Sequence, residues 1–223
     1  MARVCLFDVN ETLLDLGALD PRFERAFGDD GARRDWFQQV LQSALVATVT
    51  GVYSDFGTVG AAALRMTAER RDVRLSEKSR ESILGGMREL PPHPEVPEAL
   101  DLLRDAGLRL AALTNNTAEV VEAQLENAGL AGRFEKVFSA DAVRRLKPAP
   151  EPYRAAAEAL GVEPSGVRLI AAHAWDVAGA MRAGCAAAFV ARPGMVLDPL
   201  AEPPDIVGAD LSAVATSIIA AEA

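Results

Sequence analysis

A short apolar run that ends on a carboxylate constrains this chain most: Val4-Cys5-Leu6-Phe7, then Asp8. Four apolar residues bounded by polar ones predict a buried strand. Polar residues follow in Val9-Asn10-Glu11-Thr12 before apolar residues resume at Leu13 and Leu14. In a parallel sheet flanked by helices, ligands bind outside the C-terminal strand ends. A carboxylate in that place is held by a rigid element, which suits a nucleophile or a metal ligand. An N-cap aspartate serving the next helix is the competing reading.

The rest of the chain supplies the layers such a strand needs. From about Asp15 to Leu90 the pattern is helical: Leu16, Leu19, Phe23 and Phe27 recur at helical spacing, as do Trp36, Val40, Leu41, Ala44 and Leu45. Ala61 to Arg71 predicts another helix, and Ser76-Glu77 the start of a further one. Pro91-Pro92-His93-Pro94 closes this stretch as a stiff linker or hinge. Beyond it, helices and strands alternate. Helices are predicted at Glu98 to Ala106, Ala118 to Asn127, Glu151 to Leu160 and Val177 to Ala183; strands at Leu108 to Leu113, Lys136 to Phe138, Val167 to Ala172 and Ala186 to Val190. Gly107, Gly129, Gly161 and Gly184 follow the helices as stop signals. Alternation of this kind predicts βα units and a parallel sheet. The tail, Asp205 to Ala220, reads as a weak strand and an amphipathic helix.

Composition narrows the function classes. The net charge is −9 with no basic run, which argues against a nucleic-acid partner. No stretch approaches the roughly 18 apolar residues of a membrane span, and the first apolar run stops at Asp8, short of a signal-peptide core. The two cysteines, Cys5 and Cys185, lie in apolar contexts and read as free buried thiols, so a cytoplasmic location is expected.

Four segments, in order, carry a resemblance. They are the strand-Asp8-turn with Thr12; Leu110-Ala-Ala-Leu-Thr114-Asn115-Asn116; Leu146-Lys147-Pro148; and Leu169-Ile-Ala171-Ala172-His173-Ala174-Trp175-Asp176. Together they resemble the motifs of the haloacid dehalogenase superfamily. Ala-Trp-Asp176 and Lys147-Pro-x-Pro-x-Pro-Tyr153 resemble its L-2-haloacid dehalogenase branch. The resemblance implies an α/β fold: a Rossmann-like three-layer core with a parallel sheet, formed by residues 1–14 and 95–223, and an all-helical cap formed by 15–94. It implies a homodimer, no cofactor and a small anionic substrate, with activity like that of an (S)-2-haloacid dehalogenase.

Two residues separate this reading from that of a magnesium phosphatase of the same fold. The phosphatase acid, two residues after the nucleophile, is replaced by Asn10, which has no proton to donate. Its further metal-binding carboxylate falls within Ala171-Ala172, and magnesium demands hard oxygen ligands. Asp8 and Asp176 alone make a poor magnesium cage. A dehalogenase needs neither group, because halide leaves without a proton. In that reading Asp8 attacks the halogen-bearing carbon and forms an ester. Lys147 neutralises and orients the carboxylates, Asp176 activates water and Thr12 holds the carboxylate or the ester carbonyl. By resemblance, Thr114 and Asn115 hold the substrate and Tyr153 lies beside it. Asn10 is a further candidate substrate contact, and Phe37 and Trp175 either wall an apolar pocket or, as is the default for both, pack in the core.

The chain departs from the branch in three places. The halide-binding arginine of the cap is replaced by Phe37 after Trp36, with Arg33 and Arg34 up to a turn earlier. The serine before the last motif is Ala171, and the asparagine is His173. A missing cationic clamp would remove transition-state stabilisation. His173 is either a partial substitute for it, a water-handling base, or a hydrogen-bonded structural histidine.

Overall fold

The protein is described here by a computed structural model covering residues 4–29 and 31–222. The outermost residues of the expected core, 1–3 and 223, lie outside the described residues. Six strands form one sheet in the order β3-β2-β1-β4-β5-β6. They are β1 (Val4–Phe7), β2 (Arg109–Thr114), β3 (Lys136–Ser139), β4 (Val167–Ala171), β5 (Ala186–Val190) and β6 (Ile206–Gly208), and every pairing is parallel. The helices are α1 (Asp20–Phe27), α2 (Gly31–Thr50), α3 (Phe56–Arg70), α4 (Glu77–Gly86), α5 (Val96–Asp105), α6 (Ala118–Asn127), α7 (Pro150–Ala159), α8 (Ala174–Arg182) and α9 (Leu211–Glu222).

Both faces of β1 are buried, which explains why its sequence is continuously apolar and not alternating. Cys5 and Phe7 face α5, α6 and α9, packing with Leu100, Leu103, Val121, Leu125, Val214 and Ile218. Val4 and Leu6 face α7 and α8, packing with Tyr153, Ala156, Val177 and Ala180. Cys5 and Cys185 are both buried and free. Burial pushes the Cys185 thiol up to about 11, so it is inert at neutral pH.

The chain moves from β1 to β2 on one side and returns through β4 on the other. Such a reversal opens a crevice at the C-terminal ends of the two central strands. Asp8 follows β1 there, and His173 to Asp176 follow β4. The sequence pattern placed the start of α8 at Val177; the helix begins at Ala174 instead. His173 is extended, and its carbonyl accepts the Asp176 and Val177 N–H groups, each at 3.1 Å. Asp176 therefore sits in the first turn, where the helix dipole favours an anion.

Between β1 and α5 the elements are helical: a 3-10 turn at Leu16–Leu19, α1 to α4, and a second 3-10 turn at Met87–Glu89. Their apolar stripes bury Phe23, Trp36, Leu64 and Ile83. The Trp36 indole donates to the Gly60 carbonyl at 2.9 Å, tying α2 to α3. The outgoing and returning chains meet as a pair. Asp15 N–H donates to the Pro91 carbonyl (2.8 Å), and His93 N–H to the Leu13 carbonyl (2.9 Å). The proline segment is thus bonded to the site turn and does not hang free.

Close packing beside the crevice centres on Gly179 in α8. A Cβ there would lie 2.5 Å from Pro148 Cβ and 2.8 Å from the Tyr153 hydroxyl. Gly179→Ala is expected to destabilise the fold by about 1–3 kcal/mol through overpacking. The midpoint of urea unfolding measures this, and an unchanged midpoint would contradict the packing.

Candidate active site

Lys147 stands at the centre of the crevice. Its ammonium donates to Asp8 Oδ1 (2.9 Å), Asp176 Oδ2 (2.6 Å) and the Leu113 carbonyl (3.0 Å), so all three hydrogens are used. The side chain is wholly buried, as is Asp176, while Asp8 keeps about 5% exposure. Asn115 fixes the lysine from the end of β2. Its Oδ1 accepts the Lys147 N–H at 2.8 Å, and its Nδ2 donates to the Lys147 carbonyl at 3.4 Å. Asn115 clasps the lysine backbone in this way and keeps one amide hydrogen to spare. The Thr114 hydroxyl accepts the Asn116 N–H at 3.1 Å and so shapes the same turn.

The other oxygen of Asp8 is held from its own turn and from β4. Thr12 Oγ1 donates to Asp8 Oδ2 at 2.6 Å, and accepts the Ala172 N–H at 2.9 Å. His173 Nδ1 lies 3.2 Å from the same oxygen, and its Nε2 lies 2.9 Å from Glu11 Oε2. Tyr153 donates to Asp176 Oδ1 at 2.5 Å. That bond supports the Asp176 carboxylate within the site.

Electrostatics separates the two carboxylates. Burial would raise the Asp8 pKa, but Lys147, His173 and Thr12 outweigh it and hold the group well below the usual carboxylate range. Burial raises Asp176, and the Asp8 charge adds to this against Lys147 and Tyr153. Burial would lower Lys147; Asp176 and Asp8 reverse that and raise it. Burial likewise opposes charge on His173, yet its bonds to Asp8 and Glu11 carry its pKa up to about 10. Asp8 is therefore an ionised carboxylate between two cations.

The helical segment covers this centre. Phe37 of α2 lies 6.3 Å from the His173 ring, centre to centre, and Trp175 lies 5.1 Å from it, both rings tilted. Of the two arginines near the missing clamp position, Arg34 is exposed. Arg33 is buried, with its guanidinium 3.9 Å from Glu11 and bonded to Asp20. A cation from the helical segment thus reaches the rim of the site, one turn before Phe37.

Three residues of the site were missed in the sequence. Glu11 lay in an unassigned turn position; its positive φ of 61° brings its carboxylate to His173. Gln124 is fully buried on α6, donating to Asn10 Oδ1 (3.0 Å) and to the Met87 carbonyl (2.7 Å), and accepting from Asn116 (2.9 Å). Its place on the buried stripe with Val121 and Leu125 was the available signal. Arg192, beyond β5, donates to the Thr12 carbonyl at 2.8 Å and pairs with Glu95; nothing in its local sequence marks it.

The His173 pair predicts a pH dependence of stability. A folded-state pKa raised from 6.5 to about 10 stabilises fully below about 6.5. That contribution is lost as pH rises through about 10. Glu11→Gln removes one anionic partner and lowers the folded-state pKa, so the contribution should be smaller and its loss complete at lower pH. Thermal unfolding midpoints across this range measure it; superimposable curves for both proteins would contradict the pairing.

Comparison with known proteins places the geometry in a family. A family model described as haloacid dehalogenase-like hydrolase matches residues 2–184. Haloacetate dehalogenase H-2 of Moraxella sp. (strain B) is 31% identical over 201 residues, covering 89% of this chain and 90% of that one. The (S)-2-haloacid dehalogenase of Pseudomonas sp. (strain YL) is 30% identical over 210 residues, covering 93% and 90%. The solved L-2-haloacid dehalogenase of Xanthobacter autotrophicus with chloropropionic acid covalently bound superposes with a TM-score of 0.91, at 28% identity and 98% coverage of each chain. The chain belongs to the haloacid dehalogenase-like hydrolase family.

Proposed function

We propose that this protein hydrolyses the carbon–halogen bond of a short 2-haloacid, yielding a 2-hydroxy acid through an ester on Asp8. The observation that carries the reading is the state of Asp8. It is ionised, fixed by Lys147 on one oxygen and by Thr12 and His173 on the other, in a buried crevice. Two of the similar proteins are a haloacetate and an (S)-2-haloacid dehalogenase, and a third carries chloropropionic acid as a covalent adduct.

Each step follows from these contacts. An Asp8 oxygen attacks the halogen-bearing carbon as the halide leaves on the opposite side. No proton is needed, which suits an amide at position 10: Asn10 has its oxygen held by Gln124. Water then attacks the ester carbonyl and regenerates Asp8. Asp176 and His173 are the two groups placed to serve that step. Thr114 and Asn116 border the space for the substrate carboxylate; Phe37 and Trp175 wall it. Arg33 supplies positive potential at the rim.

The reading requires no metal, because the donor set does not suit magnesium. The phosphatase acid is Asn10 and the further carboxylate is missing at Ala171-Ala172, while an ammonium already bridges Asp8 and Asp176. We further propose that residues 15–94 act as a cap over a core of 1–14 and 95–223. Support comes from the paired connections at Asp15–Pro91 and the contact of Phe37 with His173. Closure by such a segment excludes water and strengthens every charge interaction within.

Chloride release from chloroacetate or 2-chloropropionate is expected at equal rates in chelator and in magnesium. A strict magnesium requirement, with phosphate released from a phosphomonoester, would favour a phosphatase. The nucleophile has its own test. With enzyme in excess in heavy-oxygen water, the label is expected on Asp8, because one of its original oxygens leaves in the first product. Label in the 2-hydroxy acid with Asp8 unlabelled would show that Asp8 acts only as a base.

A further inference from the structure

His173 occupies a position that the reaction as proposed leaves open, and its hydrogen bonds say more than its presence. Both ring nitrogens face carboxylate oxygens: Nδ1 faces Asp8 Oδ2 at 3.2 Å and Nε2 faces Glu11 Oε2 at 2.9 Å. An ionised carboxylate only accepts hydrogen bonds. Each nitrogen must therefore carry a hydrogen, and the resting ring is an imidazolium. It is buried, and one of its two counter-charges is the nucleophile itself.

We infer that His173 is the base for ester hydrolysis, kept inactive by the charge on Asp8 until the first chemical step removes that charge. The inference rests on the dehalogenase reading above. Asp176, the other candidate base, accepts from Lys147 and Tyr153 on its two oxygens and is wholly buried, so neither oxygen lacks a donor. A halide clamp is the other use for a cation here. The halide departs opposite the attacking oxygen, whereas His173 Nδ1 lies against the carboxylate that attacks.

The proton accounting follows. In the first step an Asp8 oxygen bonds to the substrate carbon, the carbon–halogen bond breaks, and the halide takes the bonding pair. Asp8 becomes a neutral ester. The imidazolium has lost one of two anions, and it releases the Nδ1 proton to solvent. Glu11 keeps the Nε2 hydrogen and so fixes the tautomer. Nδ1 and the ester oxygen are now both acceptors and cannot bond to each other; a water donating to Nδ1 fits between them. That water attacks the Asp8 carboxyl carbon and gives one proton to Nδ1. The ester's alkyl–oxygen fragment leaves as the carboxyl group re-forms, and takes that proton to become the 2-hydroxy acid. The remaining carboxyl proton passes to Nδ1. Asp8 is again ionised and His173 again an imidazolium. One water is consumed, and one proton and one halide are released per turnover.

The surroundings support such a swing in charge. The turn after β1 presents Asp8 and Glu11 to the ring; α2 presents the neutral Phe37 directly and Arg33 only through Glu11, at 3.9 Å. Lys147 lies on the far oxygen of Asp8, and Asp176 on the far side of Lys147. The one other histidine, His93, contacts the Glu11 carbonyl and is lowered by burial, so it stays neutral. Glu11 is the positioning residue of this arrangement. Its φ of 61° is a conformation that non-glycine residues seldom hold, and such conformations persist where the surroundings over-determine them.

The timing of the proton tests the inference. Enzyme in excess is mixed with 2-chloropropionate in weak buffer with a pH indicator, and halide, hydroxy acid and Asp8 ester are followed in quenched samples. About one proton per site is expected with the halide, before the hydroxy acid. Protons that appear only with the hydroxy acid would overturn the inference and leave the dehalogenase reading intact; no halide release at all would overturn both. His173→Phe, which keeps the ring packing against Phe37 and Trp175 but has no basic nitrogen, is expected to release one halide per site and accumulate the Asp8 ester, seen as added mass on its peptide. Hydrolysis of that ester at the wild-type rate would refute a role for His173. Should that variant fail to fold, Glu11→Gln serves instead. The pH midpoint of ester hydrolysis is expected to fall by about one unit or more when this anion is removed. An unmoved midpoint would assign Glu11 and His173 a structural role only.

Discussion

The Lys147 ammonium is the interaction on which the rest of the site depends. Two carboxylates close together in a buried crevice repel each other and resist ionisation. One cation placed between them relieves both, and its third hydrogen goes to a strand-end carbonyl. Removing one partner from a buried ion pair typically costs about 3–5 kcal/mol, because the remaining charge stays buried and uncompensated. Much of the nearby structure holds this lysine in place. Asn115 clasps its backbone on both sides, and Gly179 leaves room for Pro148 and Tyr153 beneath Asp176.

Around that centre the charges alternate. Asp176, Lys147, Asp8, His173, Glu11 and Arg33 form a line of opposite signs that runs from under α8 to the first turns of α2. A line of this kind couples its members: neutralising Asp8 changes what His173 experiences, and Glu11 in turn links His173 to the helical segment. The arrangement also accounts for the absence of an arginine at Phe37. Arg33 reaches the rim from one turn earlier, and an aromatic ring at position 37 packs on a cationic one.

A second, uncharged network fixes the opposite side of the turn. Gln124 joins Asn10 and Asn116 to the Met87 carbonyl, at the point where the helical segment returns to the sheet. An amide can donate and accept at once, so three side chains and a backbone carbonyl are joined without introducing charge. Charge at position 10 would have to be accommodated among these amides, which is a physical reason for asparagine there.

The sequence by itself determined the order of elements, the parallel class of the sheet, and the residues that meet at its crevice. Continuous apolar runs between glycine-stopped helices have few ways to bury both faces, and Asp8, Thr12, Lys147, His173 and Asp176 each fall in the connection after a strand or in the first turn of a helix. Tertiary structure decided what those residues touch. Asn115 and Tyr153 read as substrate contacts in the sequence; the folded chain adds that they support Lys147 and Asp176. The start of α8 moved to Ala174, because His173 is extended and its carbonyl accepts the first N–H groups of the turn that carries Asp176. Glu11 and Arg192 gave no signal as site residues, and Gln124 only its place on a buried stripe, since their partners lie 162, 180 and 114 positions away along the chain. Periodicity records which face a residue occupies; only the folded chain sets which distant group meets it there.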